Sequence, residues 1–434
     1  LLYMGMNFLR MGTTGIAAQS YGADDNDGLR ASLGQALIVG LAIALAILVF
    51  QKPIATLALA LLGGDAETQQ HASTYFFIRV WSAPGTLANF ALVGWFLGLQ
   101  NARVPLLIFL TINCTNIVLD LLFVVVLGMT VDGVALASVI AEYSGLAVGV
   151  TMAVAALRKR AGHWPMARLK NLSAYRAFFA INANLFLRTM ALLGTLAFVT
   201  AQGARLGPTI LAANAVLMNF QHLTSFGLDG LAHAAEAMVG RAVGQRNKAA
   251  LEHSVRLALK WSLVFAAGFS VSYLVAGWLI VNLLTDLPDV RATAMTYLPW
   301  LIASPLISVW CFLYDGVYVG MTRAREMRNI MVFSTFGVFL PAWFLTQSFG
   351  NHGLWFALMA FMASRGIGMY LGYRRTAVSS GRGISGARWR APRHNRARRT
   401  QRWPAHTHRK YPRCRTAIYR AVRVAHTGQV CASR

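Results

Sequence analysis

Residues 36–50 read ALIVGLAIALAILVF, and no charged residue occurs between Arg30 and Lys52. An α-helix needs about 20 apolar residues to cross the hydrocarbon core of a bilayer, so this stretch is long enough to span one. Similar stretches recur along the 434-residue chain, separated by short polar loops. The pattern predicts an all-α polytopic membrane protein with about eleven spans, near residues 1–20, 32–62, 75–99, 104–127, 133–157, 177–203, 208–240, 257–284, 293–320, 330–347 and 353–373.

The composition excludes a soluble globule. Hydrophobic residues make up 56% of the chain and charged residues 13%, against about 25% charged in soluble domains. The sequence has no phosphate-binding GxxxxGK[ST] loop, no HExxH and no GxSxG, which argues against ATP hydrolysis or a familiar hydrolase. The four cysteines, Cys114, Cys311, Cys414 and Cys431, have neither paired nor metal-ligand spacing. We therefore expect no enzyme activity, no cofactor and no metal site.

Basic residues concentrate in alternate loops, a bias typical of cytoplasmic loops. The intervening loops, such as residues 63–67 and 285–289, carry acidic residues instead. The carboxy terminus is therefore expected in the cytoplasm. The basic loops are those with Arg30, with Arg103, with Arg158 to Arg176, with Arg241 to Arg256, with Arg323 to Arg328, and with Arg374 and Arg375.

Self-comparison reveals two parallel copies of one bundle, offset by about 222 residues. The matched segments are residues 21–22 with 243–244, 81–84 with 302–305, 98–103 with 320–325, and 132–133 with 352–353. Such repeats are common in secondary transporters. The second copy has six spans and the first has five, and loop charge places residue 1 outside the membrane. From both observations we expect that the first helix of the first copy is missing.

Polar residues inside the spans are candidate functional groups, because they are costly in a bilayer. In residues 104–127, Asn113, Asn116 and Asp120 share one helical face. A carboxylate with amide neighbours can bind and release a proton. The alternative is an interhelical hydrogen-bond seam.

A second polar stripe follows residues 208–240, where His222, Ser225, Asp229, His233 and Glu236 project within about 80° of one another. One interpretation is the wall of an aqueous cavity. The other is that His233 and Glu236 are solvated near the cytoplasmic interface.

The remaining charges within the predicted spans each need a partner. Structural ion pairing explains them as well as transport does. They are Arg10, Glu142, Arg188, Asp315 and Arg365.

Four segments resemble the multidrug and toxic compound extrusion (MATE) family over roughly residues 1–375. They are residues 8–23 (FLRMGTTGIAAQSYGA), 116–120 (NIVLD), 133–138 (GVALAS) and 315–329 (DGVYVGMTRAREMRN). The resemblance implies a two-lobe bundle of six-helix repeats, with twelve helices expected and about eleven present. On this basis residues 1–157 form an amino lobe, 158–176 a cytoplasmic loop, and 177–375 a carboxy lobe. It also implies a monomeric antiporter of the bacterial inner membrane that exports amphipathic or cationic organic compounds by alternating access.

Family motifs place proton coupling and transport on Asn116, Asp120 and Ser138, and suggest Asp315 as part of a carboxy-lobe ion site. A larger set of polar residues forms a candidate cavity or secondary ion site, namely Asn113, Glu142, Arg188, His222, Asp229, His233, Glu236, Asp315 and Arg365. The family's helix-one aspartate is not in the chain, and its helix-seven glutamate has no match. We therefore expect H⁺ rather than Na⁺ as the coupling ion.

Residues 376–434 carry 15 basic residues and no acidic one. This composition predicts a disordered tail, either out-of-frame sequence or a segment that contacts anionic lipid or, without specificity, nucleic acid. We expect membrane lipids and a small organic substrate as partners, and no specific nucleic acid. Two alternatives to the exporter are a lipid or lipid-linked oligosaccharide flippase and a non-functional fragment.

Overall fold

The computed structural model describes residues 2–62 and 65–379, and this part of the chain is helical with no strand. Four short non-α segments lie between the helices, namely 3₁₀ turns at Val80–Ser82 and Gln347–Phe349 and π-helices at Leu121–Val126 and Ser334–Phe339. The α-helices are α1 (Leu2–Gly5), α2 (Phe8–Gly22), α3 (Asn26–Val49), α4 (Gln51–Leu62), α5 (Ala66–Arg79), α6 (Ala83–Gly98), α7 (Arg103–Asp120), α8 (Val131–Arg158), α9 (Met166–Lys170), α10 (Leu172–Arg205), α11 (Pro208–Gly244), α12 (Lys248–Leu284), α13 (Pro288–Gly320), α14 (Ala324–Phe333), α15 (Leu340–Thr346) and α16 (Asn351–Ser379).

Nine helical stretches among the described residues are long and apolar enough to cross a membrane. They coincide with nine of the eleven predicted spans, which confirms the all-α membrane fold. The other two predicted spans are also helical. Of these, α2 has only 15 residues, and the polar stripe along α11 lowers its hydropathy.

Prolines explain two helix breaks that the predicted spans did not contain. Pro53 has no N–H, and its ring would clash with the carbonyl of Val49, so α3 ends there and α4 begins at Gln51. Pro84 acts in the same way on Val80, where α5 gives way to a 3₁₀ turn before α6. The single span expected at 32–62 is therefore two helices.

The centre of the bundle is a close packing of α2, α6, α11 and α13. Glycines make this packing possible. A Cβ added to Gly98 would lie 2.9 Å from the carbonyl oxygen of Thr14, and one added to Gly320 would lie 2.6 Å from that of Glu236. Gly98 and Gly320 are 222 residues apart, and so are Thr14 and Glu236. The contact between α2 and α6 is therefore repeated between α11 and α13.

The same offset relates two tight contacts across the interface between α2 and α11. A Cβ on Gly22 would overlap the carbonyl oxygen of Arg241, and a Cβ on Gly244 would overlap that of Gln19. We call this reciprocal contact, at the end of the bundle with the basic loops, the glycine seal.

Backbone conformation follows the repeat too, and this agreement confirms the 222-residue offset found in the sequence. Within the described part of the chain, the non-glycine residues with left-handed backbone are two pairs offset by 222, Asp24 with Arg246 and Gln100 with Thr322.

Side-chain hydrogen bonds close the glycine seal in the same reciprocal manner. Gln19 donates to the carbonyl oxygen of Gly320 at 2.9 Å and to Thr322 Oγ1 at 3.2 Å. Arg241, its counterpart, donates to Gln100 Oε1 at 2.8 Å. Each copy of the repeat thus donates side-chain hydrogen bonds to the other copy.

Some predictions fall outside the described residues. The tail predicted at residues 376–434 lies outside them from residue 380 onward, as do Cys414 and Cys431. The division into lobes at residues 157 and 177 stays a prediction, and the expected loop between them contains the short helix α9.

Candidate functional site

Six ionisable side chains lie close together in the membrane-spanning part of the bundle. They come from five helices, so each is far from most of the others in sequence. We call them the charge cluster, which consists of Arg10 on α2, Arg188 on α10, Asp229 and Glu236 on α11, Asp315 on α13, and Arg365 on α16.

Asp315 is the centre of the carboxy-terminal part of this cluster. Its Oδ2 accepts a hydrogen bond from Arg365 Nη2 at 2.8 Å and another from Arg188 Nη2. The other oxygen, Oδ1, is buried and has no hydrogen-bond partner. Arg365 is 2% exposed, and its guanidinium lies 5.3 Å from the ring centroid of Phe361. One carboxylate therefore neutralises part of two buried positive charges.

Arg10 and Glu236 form a second buried pair. Arg10 Nη1 donates to Glu236 Oε2 at 3.4 Å, and Arg10 Nε donates to Asn7 Oδ1 at 3.0 Å. Glu236 is 2% exposed, and its Oε1 has no hydrogen-bond partner. The interpretation of Glu236 as a solvated interfacial residue is therefore wrong, because α11 packs against α2 and buries this side chain.

Asp229 and His233 border this pair, whereas His222 does not. Asp229 is half-buried, accepts from Ser225 Oγ at 3.4 Å, and lies within electrostatic range of Arg10, Arg188 and Asp315. His233 is half-buried and lies within range of Arg10.

His222 is exposed and stacks on the exposed ring of Phe226 at 6.4 Å. The stripe predicted along α11 is thus only partly a cavity wall. The part of the stripe from Asp229 to Glu236 lies at the charge cluster, whereas His222 lies outside it.

The predicted amino-side residues lie on α7 and α8. Asn116 Nδ2 donates to Ser138 Oγ at 3.4 Å, so the structure brings these two together. Asp120 is half-buried, and its Oδ1 is buried without a hydrogen-bond partner. Asn113 is exposed and donates to the carbonyl oxygen of Phe109 at 2.7 Å. The side-chain amide of Asn113 is therefore hydrogen-bonded within its own helix rather than to a shared site.

Glu142 has partners that the sequence did not identify. Arg79 Nη2 lies 3.4 Å from Glu142 Oε1, and Asn89 Nδ2 donates to Glu142 Oε2 at 3.1 Å. The Arg79 guanidinium also lies 5.2 Å from the ring centroid of Tyr3. The sequence feature that could have identified this partner is Arg79 itself, a single arginine near the start of the apolar span predicted at residues 75–99.

Arg30, which the loop pattern placed between spans, is instead a buried residue of α3. It donates to four carbonyl oxygens, two of which lie near the end of α8, on Leu157 at 3.0 Å and on Arg160 at 2.8 Å. Arg30 therefore holds the segment that follows α8 against α3. It could have been suspected from Asp25, which caps α3 upstream of it.

The charge cluster balances when every group is ionised, because three arginines face three carboxylates. Arginine does not lose its proton in proteins, so proton binding to any of the carboxylates leaves one positive charge in excess. At an effective dielectric constant of about 20, two unit charges 4 Å apart interact by about 4 kcal/mol. Proton uptake would thus change the affinity of the cluster for other cations.

Comparisons with known proteins agree on the family. The MatE family profile matches residues 1–122 and 184–344. DNA damage-inducible protein F from Escherichia coli K12 (DinF) is 41% identical over 374 residues, which are 86% of this chain and 81% of that protein. The chain belongs to the MATE family. The family resemblance found in the sequence is confirmed.

Another similar protein is more distant in sequence. Protein DETOXIFICATION 43 from Arabidopsis thaliana is 27% identical over 356 residues, or 80% of this chain and 64% of that protein.

Two solved MATE structures have the same fold at low sequence identity. A "Crystal structure of MATE in the straight conformation" is 19% identical, superposes with a TM-score of 0.77, and covers 88% of this chain and 87% of that one. The "Outward-facing conformation of a multidrug resistance MATE family transporter of the MOP superfamily" is 18% identical, superposes at 0.76, and covers 88% and 87%. MATE proteins are transporters and not enzymes, so the chain is a multi-pass membrane transporter.

Proposed function

We propose that this protein is a proton-coupled antiporter that exports amphipathic or cationic organic compounds by alternating access. We place it in the bacterial inner membrane as a monomer with a cytoplasmic carboxy terminus. The observation that carries the proposal is the balanced charge cluster, in which two carboxylates keep one buried oxygen without a hydrogen bond. These are Asp315 Oδ1 and Glu236 Oε1.

Competition between a proton and a cation for one carboxylate explains antiport. While the carboxylates are ionised they balance the buried arginines, so the cluster does not repel a cationic substrate. Protonation leaves the buried arginines in excess, and their repulsion then favours release of that substrate. Because the proton and the cationic substrate are not bound at the same time, binding of one favours release of the other. The two are therefore exchanged across the membrane.

Asn116, Asp120 and Ser138 are the amino-side part of this proposal. Asp120 Oδ1 is buried and has no hydrogen-bond partner, like the free oxygens of the charge cluster. The bond from Asn116 to Ser138 fixes α7 against α8 one turn away from Asp120. We assign the coupling proton to Asp120 first and to Asp315 second.

The chemistry of the cluster favours a proton over sodium. A hard cation requires several oxygen ligands, whereas Asp315 Oδ2 already accepts two guanidinium hydrogen bonds. The adjacent positive charges of Arg188 and Arg365 would also repel a bound metal ion. A proton needs only one lone pair.

The pairing of the arginines favours an exporter of organic cations over a lipid flippase. A flippase that carries a phosphorylated headgroup needs unneutralised basic residues in its cavity. Here Arg10 contacts Glu236, while Arg188 and Arg365 contact Asp315. These arginines are therefore already committed to carboxylates.

The proposal is tested with the full chain in proteoliposomes. An imposed pH gradient without sodium should drive movement of a cationic dye, and a neutral dye of similar shape should move more slowly. Asp120→Asn should abolish this transport while the protein still expresses and inserts. Asp286→Asn is the control, because Asp286 is exposed and its ion pair is with Arg291.

Two results would contradict the proposal. Transport driven by a sodium gradient at constant pH would exclude proton coupling. Undiminished proton-driven transport by Asp120→Asn would remove Asp120 from the coupling site.

A further inference from the structure

An apolar groove lies on the outer surface of the bundle between α14 and α16. Its volume is about 450 Å³, and hardly any of its lining is polar. Phe333 on α14 and Ile367 on α16 are 65% and 58% exposed. The groove residues used in the argument below are Asn329, Ile330, Phe333, Ile367, Gly368 and Leu371.

Basic residues continue the groove toward the end of the bundle with the basic loops. Residues three, four and seven positions apart share one face of a helix. Arg374 and Arg375 therefore continue the face of Ile367 and Leu371, about one turn or 5 Å further along α16. Both arginines are exposed, and the Arg374 guanidinium lies 5.7 Å from the ring centroid of Tyr370.

A third arginine stands at the same end of the groove on α14. Arg328 donates from Nε at 3.1 Å and from Nη2 at 2.6 Å to Oδ1 of Asn329, a lining residue. The nearby acid, Glu326, lies 3.6 Å from Arg323 and so is already paired. The groove therefore joins an apolar wall to a positively charged mouth.

The charge of the mouth selects among possible occupants. A cationic substrate of the proposed transporter would be repelled by Arg328, Arg374 and Arg375. The segment of residues 376–434 carries 15 basic residues and no acidic one, so it would be repelled as well. What matches both parts is a molecule with an apolar chain and an anionic head.

We propose that the groove between α14 and α16 is a binding site for an anionic phospholipid. One acyl chain lies along Ile330, Phe333 and Ile367, and the phosphate lies against Arg374 and Arg375. Basic residues at a membrane surface attract anionic lipids, and the geometry places them one helical turn from the apolar wall. This inference concerns a lipid-facing surface and is independent of the coupling site.

The experiment uses the full chain in vesicles of phosphatidylcholine with a small fraction of phosphatidylglycerol. The probe is phosphatidylglycerol with a photoreactive acyl chain, and its attachment site is located by peptide mass spectrometry. The expected attachment is on α14 or α16. A photoreactive phosphatidylcholine at the same concentration should label this groove much less.

Two variants separate the head and chain contacts. Arg374→Gln with Arg375→Gln should weaken labelling by roughly 30-fold, or about fivefold for each arginine. Ile367→Trp should fill the groove and also reduce labelling. Matched controls are Arg158→Gln with Lys159→Gln, an exposed basic pair at the end of α8, and Val271→Trp at an exposed position of α12.

Three results would overturn the site. Equal labelling by the two headgroups would show ordinary surrounding lipid. Attachment to residues 380–434 would show that the tail holds the lipid. Labelling that survives both variants would show that the groove does not bind it.

Discussion

Removal of one member of the Arg10 and Glu236 pair should reveal how much the buried ion pair stabilises the bundle. At 3.4 Å and an effective dielectric constant of about 20, the two charges attract by about 5 kcal/mol. Loss of one partner from a buried pair costs about 3–5 kcal/mol. We therefore expect Glu236→Gln to lower the free energy of unfolding by about 3–5 kcal/mol, because Arg10 stays charged.

The reverse variant should be milder. In Arg10→Gln, the unpaired Glu236 can take up a proton and become neutral, whereas arginine cannot lose its proton. The double variant, Arg10→Gln with Glu236→Gln, leaves no charge and should recover most of the loss. The order of stability should thus be wild type, double variant, Arg10→Gln, Glu236→Gln.

The assay is reversible unfolding of the purified protein in mixed detergent and SDS micelles, analysed as a double-mutant cycle. Asp286→Asn is the matched control. Its partner Arg291 is closer, at 3.0 Å, but Asp286 is fully exposed, so the loss of stability should be much smaller than that of Glu236→Gln. If the double variant is no more stable than Glu236→Gln, the pair is not an energetic unit and the reasoning is refuted.

Two more predictions concern the ends of the helices. Gly244→Ala should separate α2 from α11, because the new methyl group would overlap the carbonyl oxygen of Gln19; transport should fall sharply, whereas Gly268→Ala, which meets open space, should keep full activity and slightly raise stability. Arg30→Gln should release residues 159–165 from the bundle and speed their cleavage by an added protease, whereas Arg103→Gln, an exposed control, should not change that rate. Unchanged transport in the first case, or an unchanged cleavage rate in the second, would contradict the assigned contacts.

The helical membrane fold and the repeat were readable from the sequence because both depend on local patterns. The length of an apolar run identifies a membrane span, and the match between residues 98–103 and 320–325 identifies the second copy of the repeat. Helix breaks at Pro53 and Pro84 were missed in long apolar runs, although the steric rule for proline accounts for both.

The partners of the charges could not be read from the sequence. Projection on a helical wheel shows the side on which Glu236 lies, but not that α2 covers that side with Arg10. The expectation that each intramembrane charge has a partner was right for Arg188 and Asp315, because burial makes pairing necessary. Arg30 was misplaced because a basic residue that caps carbonyls has the same local pattern as one in a loop.

The reciprocity of the glycine seal has a kinetic consequence. Gly22 and Gln19 contact the second copy, while Gly244 and Arg241 contact the first. A rotation that separates α2 from α11 therefore breaks both sets of contacts at once. Opening at this end should follow a single exponential with one activation barrier, and equivalent substitutions in either copy should change that rate alike.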